Sequence, residues 1–129
     1  MKDIYFVTEL TGAGGEIRYI PVPSRGNVLS VRVASDLQMD AAGTLTFSRG
    51  ATTVNLVTVP AGNIAAGTIL DGVPDTTSKG LIFDPSDTTA ANKVIKMTDD
   101  ATFLGGAATI TVLIKYDDSA YVVQPASEA

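Results

Sequence analysis

The sequence predicts an all-β chain, folded as an antiparallel β-sandwich of about eight strands, on three observations. Hydrophobic residues make up 45 % of the chain, but most are Ala and Val set beside many Thr, and small and β-branched side chains suit pleated sheet. Short runs alternate apolar and polar residues at period two, as in Thr44-Leu45-Thr46-Phe47-Ser48, the pattern of a strand with one face on a core. Gly, Pro and Asp clusters separate these runs at short intervals, so tight turns join them.

Taken in order, Ile4 to Leu10 reads as a strand with Ile4, Phe6 and Leu10 on one face and Tyr5 and Val7 on the other. With apolar residues on both faces, one side is expected to pack on the core and the other to be covered by something else. A Gly-rich loop leads into a strand from Glu16 to Val22. Pro21 and Pro23 forbid helix and cannot donate to a central ladder, which leaves an edge strand or an extended approach. Gly26-Asn27 is expected to turn the chain, since both tolerate left-handed backbone angles. In the next strand Leu29, Val31 and Val33 are expected on one face, with Ser30, Arg32 and Ala34 opposite.

Residues 35–43 read as a loop rather than one helical turn. Thr44 to Ser48 and Thr52 to Val59 form a hairpin around Arg49-Gly50. Within its second strand the apolar parity slips, from Val54 and Leu56 to Val57 and Val59, which predicts a bulge near Leu56-Val57 or burial of both faces. Glycines are too frequent over Asn63 to Pro74 for a stable helix. Leu81-Ile82-Phe83 is a short buried run and Lys93 to Met97 a short strand. Ala107 to Tyr116 is the best strand of the second half, with Ile110, Val112, Ile114 and Tyr116 on one face. The strand count fits a jelly roll. One domain is expected over 1–118, followed by a tail at 119–129 that is partly disordered or contacts a partner.

Composition removes whole classes of chemistry. The chain has no Cys and no His, so there is no disulfide, no soft or imidazole metal site, and no Cys nucleophile or His base. The net charge of −5 argues against nucleic acid as the main partner. It is unevenly placed: residues 1–60 balance five basic against five acidic groups, while the rest sets four lysines against eight aspartates and Glu128. The N-terminal stretch carries Asp3 and Glu9 and is too short and polar for a signal peptide. No run of about 18 apolar residues occurs, so no membrane partner is expected.

The remaining motifs favour plain readings. Asp84 with Asp87, Asp99 with Asp100 and Asp117 with Asp118 lack the alternating pattern of a calcium loop, and Asp commonly forms turns. No metal and no cofactor is therefore assigned. Paired carboxylates also occur in glycosidases, but the chain has no Trp, and Tyr5, Tyr19 and Tyr121 are the candidate exposed aromatics for stacking on a sugar. Ser78-Lys79 sits in a polar loop without a desolvating pocket. Gly12 to Gly15 precedes no Lys-Ser/Thr and no helix, so it is no phosphate loop. Arg18, Arg25, Arg32 and Arg49 read as solvated strand faces or, more sharply, as anchors at a protein interface. No catalytic residue is assigned, and an enzyme is not expected.

The order of features resembles small jelly-roll cement, or decoration, proteins on the capsids of tailed bacteriophages, together with related phage structural proteins. The resemblance rests on Tyr19-Ile20-Pro21-Val22-Pro23 followed by Gly26 and the strand Val28 to Val33. Gly43-Thr44-Leu45-Thr46-Phe47 with its hairpin into Val54 to Val59 comes next. Ala65-Ala66-Gly67 then precedes a loop, and the run Ala107 to Ile114 closes the fold. It covers roughly 17–116. It implies a structural virion protein that binds the outside of an assembled capsid as a homotrimer, with the major capsid protein as partner, made in the host cytoplasm. On that reading Tyr5, Val7, Arg18, Arg25, Arg49, Tyr121, Val122 and Val123 are the candidate protein-contact residues. A receptor- or glycan-binding β-sandwich module is the alternative.

Overall fold

A computed structural model describes residues 3–10, 15–39, 42–60, 62–99 and 109–117. Among them are nine strands: β1 (Asp3–Leu10), β2 (Glu16–Pro21), β3 (Asn27–Ser35), β4 (Gly43–Arg49), β5 (Thr52–Val59), β6 (Leu70–Asp71), β7 (Val73–Pro74), β8 (Val94–Asp99) and β9 (Ile110–Asp117), with one 3-10 turn at Ala90–Lys93. They form two antiparallel sheets, ordered β1-β9-β3-β6 and β2-β8-β4-β5-β7. The pairings are nested. β1 lies against β9, β2 against β8, β3 against β6 and β4 against β5. A long hairpin rolled up on itself gives this order, which is the jelly roll. Gly72 carries the chain from β6 in one sheet to β7 in the other, and its Cα packs so closely on the buried Asn55 side chain that a Cβ would not fit.

The core is what the alternation predicts. Ile110, Val112, Ile114 and Tyr116 of β9 are all buried, and Leu45 and Phe47 of β4 face them from the other sheet's inner side with Ile95 and Met97 of β8. Tyr116 is the largest fully buried side chain. Its ring lies 5.3 Å from Phe6 and 6.5 Å from Phe83 between centroids, and its hydroxyl donates to the Ser24 carbonyl at 2.7 Å. A buried phenol needs such a partner. β2, the proline-punctuated strand, is indeed an edge of its sheet. The β4–β5 hairpin turns at Gly50, whose φ of 60° is left-handed, a conformation that favours glycine.

Three local expectations are corrected. Leu29 is not on the core face: Val28 pairs with Tyr116 and Ser30 with Lys115, so Leu29 is the extra residue of a bulge and is turned outward, while Val28 is buried. In β5 the bulge falls two residues before the predicted place. Phe47 pairs with Asn55 and Ser48 with Thr53, leaving Val54 as the extra residue, and this reset puts Val57 and Val59 inside. Gly26 is not in a left-handed turn. It bridges Phe83, with N–H···O distances of 3.0 and 2.7 Å, and is glycine because the Asp117 carbonyl occupies the place of a side chain.

Candidate interaction surface

A sandwich buries the inner faces of its sheets and leaves the outer faces to water or to a partner. On the outer face of the β1-β9-β3-β6 sheet, the register aligns Tyr5 with Lys115 and Ser30, Val7 with Leu113, Arg32 and Asp71, and Glu9 with Thr111 and Ala34. Tyr5 is 57 % and Val7 69 % exposed, so no described residue supplies the cover expected for this face of the strand. Ile69, just before β6, is also exposed and lines a shallow apolar dip with Thr111 and Leu113. Beside it is a hollow of about 430 Å³ bounded by Tyr5, Ser30, Arg32, Asp71, Leu113 and Lys115. Its charges are paired: Arg32 Nε meets Asp71 Oδ1 at 2.8 Å and Lys115 Nζ meets Asp3 Oδ2 at 3.4 Å. Exposed pairs of this kind contribute at most about 1 kcal/mol, so they serve as displaceable polar groups rather than as supports of the fold.

The other sheet has an outer face that sequence reasoning missed. Ile17, Thr98, Thr46, Leu56 and Val73 form one row across all five strands, with Ile17, Tyr19 and Val73 exposed. Lys96, opposite Tyr19 and Ser48, is the charged residue along these rows. The signal was present in β2, where Ile17 and Tyr19 alternate with Glu16 and Arg18. Tyr19 is among the aromatics expected to be exposed, but Ile17 and Val73 join this face only through pairing across the sheet.

The candidate arginines have distinct surroundings. Arg18 is exposed and held by Glu16 on its own strand, with Nη2–Oε2 at 2.6 Å. Arg49 reaches inward to donate to the Ile82 carbonyl at 2.6 Å, and Arg25 lies 3.9 Å from Asp84. Together with the Gly26–Phe83 bridge, these two guanidinium groups hold the segment 82–84 against the body of the sandwich. Tyr121, Val122 and Val123 lie outside the described residues.

The aspartate loops are explained locally. Asp75 accepts the N–H groups of Thr77 and Ser78, Asp84 the N–H and hydroxyl of Ser86, and Asp87 the N–H of Thr89 and the side chain of Asn92. These hydrogen bonds hold all three carboxyls below the usual carboxylate range. The Ser78 amide contributes most at Asp75, the Ser86 hydroxyl at Asp84 and the Thr89 amide at Asp87. Among the described residues no three acidic groups converge as a metal site, and no helix is long and apolar enough to cross a membrane.

The fold and these two open faces define a jelly-roll sandwich with exposed apolar groups on the outer side of each sheet. No protein-family model and no curated protein matches the chain. Among solved structures it is similar to a chain described as the capsid asymmetric unit of the cyanophage Pam1. The identity is 16 % and the TM-score 0.50, over 89 % of this chain and 82 % of that one. At that identity the likeness is one of fold.

Proposed function

We infer that this chain is a structural virion protein that binds the outside of an assembled phage capsid and stabilises it by bridging capsid subunits, as a homotrimer. The observation that carries the reading is the pair of open sheet faces with Tyr5, Val7, Ile17, Tyr19 and Val73 in solvent, on a fold shared over most of the chain with a capsid protein. Exposed apolar residues grouped on flat faces mark surfaces that meet other proteins. A protein that grips several shell subunits at once binds only the assembled form, so its binding adds to shell stability by mass action, about 2.7 kcal/mol per site at a hundredfold excess over Kd. Many copies on one shell add avidity. No enzymatic step is assigned.

The Tyr5–Lys115–Arg32 hollow favours a second reading, a glycan- or receptor-binding module, because an aromatic rim beside paired charges suits a polar ring. Incubating the purified protein with intact shells and with dissociated capsid subunits separates the two. Saturable binding to shells alone, with a raised shell melting temperature, supports the virion role. Binding to a glycan array without any binding to shells replaces it with the second reading.

A further inference from the structure

A jelly roll has four sheet edges, and here the described residues leave them very unequal. β6 and β7 are each two residues long, and β7 ends on Pro74. β2 ends on Pro21, with Pro23 beyond. These are the devices that keep an edge from pairing with another chain. β1 has none of them. It is eight residues long, Asp3–Leu10, without Pro, Gly or Lys, and no described residue pairs with its outer side. Its outward side chains run Asp3, Tyr5, Val7, Glu9: a carboxylate at each end and two exposed apolar groups between. Lys115, opposite Tyr5, reaches diagonally to Asp3 at 3.4 Å, while Glu9 has no ion pair among the described residues.

We propose that the outer edge of β1, unpaired among the described residues, receives an extended segment of the partner shell protein as an added strand, antiparallel, with apolar residues facing Tyr5 and Val7 and one basic residue facing each of Glu9 and Asp3. Backbone hydrogen bonds give such a strand its hold, and alternate side chains give its specificity. Cross-strand opposite charges favour this register and like charges oppose it. The same rule disfavours a second copy of β1 as the occupant. A symmetric pairing centred on Phe6 sets Asp3 against Glu9 at both ends, and one centred on Val7 loses the Asp3 end of the overlap. The inference rests on the virion reading only in naming the partner as a shell protein.

Two blocked seven-residue peptides test it, both with Thr at alternate positions and Val and Tyr between. One ends in Lys and Arg, the other in Glu at both ends. The basic-ended peptide should slow amide exchange across Asp3–Leu10 and bind about tenfold more tightly than its acidic counterpart, with the difference shrinking in salt. Val7→Lys, at a largely exposed position, should abolish binding without altering thermal stability, and Glu9→Lys should reverse the charge preference. Absence of binding, equal affinity for both peptides, or protection on another strand overturns the proposal. So does dilution-dependent self-association that Val7→Lys abolishes, since the occupant is then a second copy. Shell binding by the same variants separates the two readings. Shells that hold wild type and Glu9→Lys equally overturn the edge proposal but not the virion role, and peptide binding at β1 without shell binding does the reverse.

Discussion

Replacing Gly26 with alanine strikes the place where a loop, the last strand and the core tyrosine meet. A Cβ on residue 26 would overlap the carbonyl oxygen of Asp117 and stand 2.8 Å from Tyr116 Cε2 and 2.9 Å from the Asp117 carbonyl carbon. Neither neighbour is free to retreat. Asp117 is in register with Asp3 on one side and Asn27 on the other, and Tyr116 is wedged between Phe6 and Phe83. The strain is relieved only by opening the two hydrogen bonds between Gly26 and Phe83, which are worth about 1 kcal/mol each. Otherwise the site carries the roughly 1–3 kcal/mol of an overpacked core. The expected loss is about 2–4 kcal/mol, a large share of the roughly 5–15 kcal/mol that holds a domain together. In urea this lowers the unfolding midpoint by about 1–2 M with an unchanged slope. Gly80→Ala is the control, because nothing lies within 4 Å of a Cβ there and its φ is not left-handed. It should be neutral or slightly stabilising, by up to about 1 kcal/mol. A Gly26→Ala midpoint equal to wild type, or an equal loss at Gly80, refutes the close-approach argument.

Three further outcomes are expected. Tyr116→Phe keeps the ring contacts but leaves the Ser24 carbonyl without its 2.7 Å donor, so urea unfolding should show a loss of about 1–2 kcal/mol. Arg49→Met removes the charged donor to the Ile82 carbonyl and should cost about 1.5–3 kcal/mol, with faster amide exchange at Phe83 as its signature. Asp75, Asp84 and Asp87 titrate below their usual value of 3.8. Their stabilising effect is therefore complete above that value and is lost as pH falls through the lower folded-state values. Melting curves from pH 6 to pH 2 should show this loss, and the Asp84→Asn, Asp87→Asn double variant should show less of it.

Much of the fold is legible in the sequence because a buried strand face leaves a period-two signature. The run from Ile110 to Tyr116 follows it without exception, the β4–β5 hairpin follows it apart from the bulge at Val54, and Pro21 with Pro23 marks an edge strand as such. The β1 pattern, apolar on both sides, separates Ile4 and Phe6, packed against the core, from Tyr5 and Val7 on the opposite face. What escapes is anything set by a neighbour distant in sequence. Leu29 looks like a core residue until the register with β9 makes it the bulge. Val54 is displaced by Phe47 and Ser48 in the partner strand, so the slip in parity is visible while its position is not. Gly26 reads as a turn glycine, and only the approach of Asp117, 91 positions later in the chain, reveals another reason for it. The candidate surface divides in the same way. Tyr5 and Val7 are readable from one strand, whereas the row from Ile17 to Val73 exists only once five strands are aligned.

The most direct test of the central claim counts copies on the shell. The purified chain is added at rising concentration to assembled phage capsid shells, the partner the proposed role requires, and bound copies are measured by mass. A plateau at a fixed multiple of three per repeating shell unit, with a higher shell melting temperature and no binding to dissociated subunits, is the predicted result. No uptake by shells at a protein concentration that saturates a glycan or a cell receptor would contradict the account.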